Sequence, residues 1–584
     1  MSDLRFGVEQ EMQLKMKPEL ELWSALTPAE QCVLGVLFHK YAGQWFSSLL
    51  PSDVWAKEGL SGAEAKLAFA TLQTKQWINS AYRSWGECSY YIPEYHLATL
   101  TVAYKGRVGC KVEPMISSVR RVMKEGKPHI AGELLHLLAW IQRQGLPVTA
   151  KGTIHKRNVQ KLSTLTILSH VDFEQLEMTY DHMNLYSVHV VILLDLLLSL
   201  NLIEKTNEGF QIRKNQLQQW IKLPWSIMHR EIFRVCMNRY GASSAEQQHF
   251  RYQLVLFTSG LHTWCRIRNG EGHARIEGWL HALAGWGFGE VGEIGDDENR
   301  ELAYRWVIDP VELLNLGSDC VHKRDEKRSG RFYVQPDFEV MVPPDVSPEI
   351  CWTLENYSER IIRDQMSIYR LTKERIEKAV ANGVKGEVIA NFLEAHGQGD
   401  VPEHVLAVLK DWARESENML NSNSSLPLFL LEHSDIQDIS KEMEMSSGWY
   451  YDPEASGFIQ VTQLMQGMKS EEQDESNVVH NHEKTAWHKR KLNVPETWHR
   501  EWRMYHLSTA RQIAVQAIEW QVKLGIKKGD TTFVLIPHQV QGHEHWTLEG
   551  WCVLDSDELP SLTEWRTFAF EKDDSVRLIL PDGV

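Results

Sequence analysis

The chain lacks any pair of cysteines spaced to hold a zinc ion or to form a redox dithiol. No Cys-x-x-Cys occurs, which argues against a zinc ribbon and a thioredoxin-like site. The eight cysteines are scattered singly, at Cys32, Cys88, Cys110, Cys236, Cys265, Cys320, Cys351 and Cys552. Scattered cysteines in a long chain fit a reducing compartment, so we expect a cytoplasmic protein.

Neither a signal peptide nor a membrane span is indicated. The first residues, MSDLRFGVEQEMQLK, are mixed in charge and lack an apolar core. The most apolar run, VHVVILLDLLLSLNLIEK, is too short to cross a bilayer and contains Asp195. We therefore predict a buried helix there.

The sequence also lacks the motifs of a helicase motor. A motor needs a glycine-rich phosphate loop with a lysine and a serine or threonine, yet no GxxxxGK[ST] occurs, and nothing resembles a DExH or DEAD box. GFGEVG at 287–292 matches GxGxxG but follows a helical pattern and precedes an acidic run, which predicts a turn between a helix and a strand. No GxSxG elbow is present. We predict a protein that is not an enzyme.

Histidines do not form a convincing metal site either. His480 and His482 lie in a polar linker, and His543 and His545 lie at a predicted strand edge, without a third preorganised ligand nearby. We expect neither a metal nor a cofactor.

An excess of positive charge is missing as well. The 62 lysines and arginines are outnumbered by 78 acidic residues, for a net charge of −16. A uniformly basic nucleic-acid sleeve is excluded, so any DNA contact must come from local patches. With 584 residues, 43% of them hydrophobic, several domains are expected.

The pattern of helices and strands predicts a multidomain α+β protein. It has tandem winged-helix-like units, an α/β helicase-associated module that is helical almost throughout after its first strand, and a small C-terminal Sm/SH3-like β-barrel. Helix starts are predicted at Thr27-Pro28 and at Ser61. The boundaries are 20–105, 127–224 and 226–320 for the winged-helix-like units, 330–468 for the module, 469–486 for a flexible linker, and 487–584 for the barrel with a preceding basic-aromatic segment.

Residues 331–415 resemble the helicase-associated domain related to the N-terminal region of XPB/Ssl2 helicases. The resemblance rests on the strand Val334-Gln335-Pro336-Asp337-Phe338-Glu339-Val340 and on Tyr369-Arg370-Leu371-Thr372. It continues in Ala379-Val380-Ala381-Asn382-Gly383, Phe392-Leu393-Glu394, Val401-Pro402-Glu403-His404-Val405 and Asp411-Trp412. It implies a bacterial α/β module that packs against partners or DNA-processing machinery, without an activity of its own.

The C-terminal segment is similar to WYL domains, which are Sm-like barrels. His545-Trp546-Thr547-Leu548-Glu549-Gly550-Trp551 matches their core strand, with Thr547 in place of tyrosine, and Arg566-Thr567-Phe568 matches their Arg-x-Phe strand. The resemblance implies a ligand site, which we place at Trp546, Leu548, Arg566 and Phe568. A degenerate barrel kept for packing or protein contact is the alternative.

Two local patches are candidates for DNA contact. Lys151, His155, Lys156, Arg157 and Lys161 cluster in and before one helix of the second winged-helix-like unit. In the basic-aromatic segment, the basic residues are interleaved with tryptophans and are Lys489, Arg490, Lys491, Arg500 and Arg503. That segment could equally be a connector whose tryptophans pack on the barrel.

Three functions follow from these observations. The first is a non-catalytic scaffold or accessory protein in DNA transactions that couples to a helicase, nuclease or transcription partner, with DNA contact through winged helices. The second is a ligand-responsive WYL-type transcriptional regulator, in which the barrel senses and a winged helix binds an operator. The third, an enzyme of unfamiliar type, has no visible catalytic constellation behind it.

Overall fold

The computed structural model divides the chain into two compact units, each built from stretches that are not contiguous in sequence. The first comprises Met1–Lys15, Cys110–Ser243 and Gln253–Met465, and the second comprises Met16–Gly109, Ser244–Tyr252 and Gln466–Val584. Both mix helices with small open sheets, in agreement with a multidomain α+β protein. The structure describes residues 17–83, 88–114, 118–176, 178, 180–240, 244–258, 260–268, 273–295, 300–314, 330–362, 364, 366–420, 468–469, 494–542, 545–553 and 563–581.

The amino-terminal part of the second unit is mainly helical and contains one hairpin. Its helices are Lys17–Ser24, Pro28–Tyr41, Ser52–Lys57, Gly62–Thr74, Glu94–Ala103 and Lys105–Val108. The hairpin strands are Asn79–Arg83 and Cys88–Tyr91, and Met468–Lys469 pairs with the outer side of the first of them.

Capping boxes fix two of these helix starts. The side chain of Thr27 accepts a hydrogen bond from the Glu30 N–H at 3.3 Å, and the Glu30 carboxylate accepts one from the Thr27 N–H at 2.8 Å. Ser61 and Glu64 repeat the arrangement. Such caps satisfy backbone donors that the first helical turn leaves unpaired. Both predicted helix starts are confirmed.

The first unit begins with a larger α/β body. Its helices are Ile130–Gln144, Lys156–Leu165, Val188–Ser199, Lys214–Ile221, Trp225–Arg239, His273–Gly285 and Pro310–Leu313, with 3-10 turns at His170–Asp172 and Glu174–Leu176. The helix Ala245–Leu256 belongs to the second unit up to Tyr252. Its strands are Val112–Pro114, Arg121–Lys124, Leu146–Pro147, Ile203–Lys205, Gly209–Ile212, Cys265–Ile267, Gly289–Ile294 and Glu301–Trp306. GFGEVG at 287–292 forms the predicted turn between a helix and a strand, with Gly287 at φ 82°.

One arrangement recurs in the three segments predicted as winged-helix-like. A helix leads into a two-stranded hairpin, and an earlier piece of chain pairs with the second hairpin strand. That piece is Phe46 in the first segment, Leu146–Pro147 in the second and Cys265–Ile267 in the third. We call the helices Gly62–Thr74, Val188–Ser199 and His273–Gly285 the pre-hairpin helices.

Gly209 allows the close strand pairing in the second of these arrangements. Its φ is 151°, and a Cβ added there would lie 2.3 Å from the Leu146 carbonyl oxygen. We therefore expect Gly209→Ala to lower the free energy of unfolding by about 2 kcal/mol, measured by urea denaturation. Gly132→Ala is the control, because a Cβ there meets no atom within 4 Å. Equal stability of the two variants would contradict the close approach.

The first unit ends in a four-stranded sheet flanked by helices. The strand order is Tyr333–Val334, Glu339–Val342, Ser367–Leu371, Ser358–Ile362, and the helices are Pro348–Tyr357, Lys373–Ala381, Gly386–His396 and Glu403–Leu420. Thr372 caps its helix by accepting the Arg375 N–H, and Gly383 follows that helix at φ 92°. The helical prediction fails at 358–371, where a hairpin interrupts the helices.

The stretch predicted as one strand from Val334 to Val340 is instead a tight hairpin. Its turn contains Pro336 and Asp337, and Phe338 takes φ 68°. Pro336 has no N–H for a strand ladder, and the Asp337 carboxylate accepts the Glu339 N–H at 3.3 Å. The chain therefore reverses, and Phe338 stacks on Trp412 at 5.3 Å between ring centroids.

The carboxy-terminal part of the second unit is an open sheet with a helix on one face. The strand order is Arg503–Met504, Ser575–Ile579, Lys523–Lys528, Thr531–Gln541, Thr547–Val553, Thr563–Ala569, and the helices are Thr497–Arg500 and Leu507–Trp520. Among the described strands the two edges do not pair, so the predicted closed barrel is not formed by them. The helix supplies the second layer, burying Ala510, Ile513, Ala514 and Ala517 against the sheet, so the sheet need not close on itself.

Candidate functional site

Five basic residues form an exposed surface around the start of one helix in the first unit. We call Lys151, His155, Lys156, Arg157 and Lys161 the basic surface. All five are exposed, and the last three lie on the helix Lys156–Leu165. The structure thus brings this predicted set together.

Local hydrogen bonds and packing hold the basic surface in place. The Thr149 N–H donates to the Thr153 carbonyl at 2.7 Å, which closes the turn that carries Lys151. The Ile154 N–H donates to the buried Tyr186 hydroxyl at 2.8 Å. The helix that follows buries Val159 and Leu162, so its basic side chains face outward.

The electrostatics of the basic surface differ from those of the acidic chain as a whole. No aspartate or glutamate occurs from residue 134 to 171, whereas five lysines and arginines do. Among the described residues, no ion pair joins a basic-surface side chain to a carboxylate. The first helical turn holds Lys156 and Arg157 and no acid, which is unfavourable for the positive end of the helix dipole. The arrangement can bind an anion.

The other predicted basic patch is only partly described. Lys489, Arg490 and Lys491 lie outside the described residues. Arg500 and Arg503 are exposed, and Arg500 pairs with Glu496 at 3.2 Å.

The described tryptophans of that segment pack against the sheet. Trp498 contacts the hydrophobic core of the carboxy-terminal part. Trp502 covers Gly525, and the Arg577 guanidinium lies 4.8 Å from its ring centroid. These contacts favour the connector interpretation for this part of the segment.

The four predicted ligand-binding residues occupy two environments. Trp546, Leu548 and Phe568 are buried in the core between the sheet and the helix, and the Trp546 indole N–H donates to the Leu507 carbonyl at 3.0 Å. Arg566 lies at the surface and pairs with Glu564 at 2.7 Å. A ligand site at these residues stays a prediction.

A second arrangement of charged residues is buried, and sequence reasoning missed it. Glu133 and His136 on the helix Ile130–Gln144 meet Glu355, Arg360 and Tyr369, and we call these five the buried charge network. The contacts are Arg360 Nη2 to Glu133 at 2.8 Å, Arg360 Nε to Glu355 at 3.5 Å, His136 Nδ1 to Glu355 at 2.7 Å, and the Tyr369 hydroxyl donating to Glu355 at 3.1 Å. The network fixes the four-stranded sheet to the helical body within the first unit.

Paired charges keep Glu355 and Arg360 ionised despite their burial. Burial alone would raise the pKa of Glu355, but attraction to His136 and Arg360 lowers it to about 2. Burial would likewise lower the pKa of Arg360, but Glu133 and Glu355 raise it above its usual value. A cavity of about 80 Å³ beside the network is lined by Glu355, Arg360, Trp225 and the Pro343-Pro344 turn. Its size and the charged groups of Glu355 and Arg360 in a mainly apolar wall suit a few ordered waters.

The pre-hairpin helices are largely buried. In the second of these helices, Val188–Ser199, every residue from Val188 to Leu197 is buried. Asp195 within it pairs with Arg239 at 2.5 Å and 2.9 Å. This confirms the predicted buried helix. In the first helix, Gly62–Thr74, eight of the 13 residues are buried. In the third helix, His273–Gly285, residues 278–280 and 282–285 are buried. Their exposed faces are therefore narrow.

The described residues contain neither a metal site nor a membrane-spanning helix. Within those residues no group of three histidine, cysteine or acidic side chains is placed to hold a metal, and no helix is long and apolar enough to span a membrane. His480, His482 and His543 lie outside them.

Comparison with known proteins bears on one part of the chain. No curated protein matches the sequence. A family model described as the helicase conserved C-terminal domain matches residues 332–425, which is 94 of the 584 residues. The match coincides with the four-stranded sheet and its helices. This part of the first unit is therefore a helicase-associated domain of the C-terminal type.

Proposed function

We propose that this protein is a non-catalytic accessory protein of DNA transactions that couples to a helicase, nuclease or transcription partner. Its helicase-associated domain, which we take to be of the XPB/Ssl2 type, provides the link to that machinery. Three winged-helix units act mainly as packing and docking elements, and the carboxy-terminal sheet is a WYL-like domain retained for packing. The protein acts in the bacterial cytoplasm.

The helicase-associated domain without motor motifs supports coupling to another chain. Residues 332–425 match a helicase C-terminal domain, whereas no phosphate-binding loop occurs in the sequence. ATP hydrolysis by the usual helicase route needs that loop, so a motor must come from a partner. The buried charge network supports the same idea, because it holds the domain on the helical body in a fixed position.

The burial of the pre-hairpin helices favours a scaffold over an operator-binding regulator. In DNA-binding helix-turn-helix units, the second helix of the motif enters the major groove, after a turn of 3–4 residues. In the winged-helix-like segment 127–224, residues 166–187 precede Val188–Ser199, and that helix is buried from Val188 to Leu197. A helix with no exposed polar face has nothing to present to base edges, which favours the scaffold.

Capture of partners from native cells tests this function. The tagged full chain, with nuclease treatment to remove DNA-bridged proteins, is expected to recover a helicase, nuclease or polymerase component by mass spectrometry, and the tag alone is the control. Recovery of none of these above the control would count against the coupling role.

An ATPase assay tests the non-catalytic part separately. We expect the purified chain to hydrolyse no more ATP with DNA than without it. DNA-stimulated hydrolysis that copurifies with the chain through successive columns would overturn the non-catalytic assignment, whatever the capture experiment yields.

A further inference from the structure

We infer that the basic surface binds the phosphate backbone of duplex DNA without reading its sequence. This inference rests on the proposed role in DNA transactions and adds the surface, the ligand and the mode of contact. It can fail while the coupling role stands.

Charge is the first argument. The basic surface lies in a stretch of 38 residues, 134–171, without a single acidic residue, in a chain of net charge −16. Its side chains are exposed, and no described carboxylate pairs with them. By contrast, Lys373 and Lys378 on another exposed helix pair with Glu415 and Glu374, both at 2.6 Å. Unpaired exposed cations on an acidic protein are available for an external polyanion.

The position of these charges on the helix points to an anion at its end. Lys151, His155, Lys156 and Arg157 lie in the preceding turn or the first helical turn. Cations there are repelled by the helix dipole, whereas a phosphate is attracted by the dipole and by the backbone N–H groups of the first turn. A phosphate bound at this end removes an electrostatic cost that the free protein bears.

The surrounding elements are poorly equipped to read bases. The nearby pre-hairpin helix, Val188–Ser199, is buried. The tip of the hairpin that follows it exposes Asn207 and Glu208. A carboxylate at that tip opposes insertion into a groove because the DNA backbone repels it. A helix that meets DNA with its amino-terminal end contacts phosphates, which position a protein without carrying sequence information.

Duplex rather than single-stranded DNA fits the composition of the surface. Proteins that hold single strands stack the bases on aromatic side chains. From residue 149 to 164 there is no tryptophan, tyrosine or phenylalanine. The surface therefore offers cations for a backbone and no platform for unpaired bases.

Fluorescence anisotropy with the full chain tests this inference. Two labelled duplexes of equal length and composition but unrelated sequence are expected to bind within about twofold of each other. If about four phosphates are contacted, the logarithm of the binding constant falls with the logarithm of salt concentration with a slope of about −3 to −4. An unlabelled single strand of equal length is expected to compete more weakly than the duplex.

Two double variants locate the surface. Lys156→Gln with Arg157→Gln is expected to reduce the slope by about 2 and to weaken binding to both duplexes equally. Its melting temperature does not fall, because the two cations oppose the helix dipole. Lys373→Gln with Lys378→Gln removes the same charge at paired sites and leaves binding unchanged.

Each contrary outcome overturns a different part of the DNA-binding inference. A tenfold preference for one duplex excludes sequence-indifferent binding, and stronger competition by the single strand excludes a duplex ligand. Unchanged binding by the Lys156/Arg157 variant excludes this surface. Absence of duplex binding by the wild type at about 50 mM salt overturns the whole inference, whereas the proposed coupling role is decided by partner capture alone.

Discussion

Replacing Glu355 with alanine is expected to lower the free energy of unfolding of the first unit by about 3–5 kcal/mol. Glu355 is 2% exposed and contacts His136, Arg360 and Tyr369. Removing its carboxylate leaves a buried guanidinium with one carboxylate partner instead of two, and leaves an imidazole and a phenol without their acceptor. The loss of several buried partners at once makes this one of the largest effects that we expect.

Glu339→Ala is the matched control for this experiment. Glu339 also pairs with an arginine of the same sheet, Arg370 at 2.6 Å, but the Arg370 side chain is 52% exposed. A solvent-exposed pair contributes about 0–1 kcal/mol, so this variant should unfold close to the wild type in urea. Similar losses in the two variants would show that the network does not fasten the helicase-associated domain to the helical body.

Local structure was largely predictable because its causes lie within a few residues. Thr27 and Ser61 begin helices because their side chains satisfy backbone donors three residues away, which the sequence spacing already indicates. The exposed basic surface was predictable for a similar reason, since Lys156, Arg157 and Lys161 alternate with the apolar Val159 and Leu162 on one helix.

Contacts between distant residues were not predictable from patterns. His136 and Glu355 are 219 positions apart, and nothing in either neighbourhood indicates the other. The hairpin that carries Arg360 and Tyr369 was missed because its short strands lie between helices. Ile368 and Tyr369 have the β-branched and aromatic character of strands, which was the available signal.

The motif behind the ligand-site prediction does not determine which of its residues are exposed. Trp546, Leu548, Arg566 and Phe568 were grouped by resemblance, and a strand directs alternate side chains to opposite faces. Trp546 and Leu548 face the helix Leu507–Trp520 and fill the core, while Thr547 between them does not. Which face is covered depends on the helix packing, and that packing brings together residues far apart in sequence.

Acidification from pH 6.5 to pH 4 is expected to destabilise the first unit strongly. Burial lowers the pKa of His189 to about 4 and that of His229 to about 3, and it lowers the pKa of His129 well below its usual value. The unfolded chain binds a proton at each of these histidines near pH 6.5, whereas the folded chain does not until the lower pKa is reached. The contribution of these histidines to the free energy of unfolding is therefore fully present above pH 6.5. As the pH drops toward 4, the free energy of unfolding falls by about 1.4 kcal/mol per pH unit for each histidine.

His229→Phe tests the origin of this pH dependence. Phenylalanine keeps a ring beside His129, whose centroid lies 3.4 Å from that of His229, and removes one titrating group. We expect the slope of unfolding free energy against pH, from urea denaturation between pH 6.5 and 4, to decrease by about 1.4 kcal/mol per pH unit. Equal slopes in the wild type and the His229 variant would mean that the buried imidazole binds its proton as readily in the folded chain as in the unfolded one.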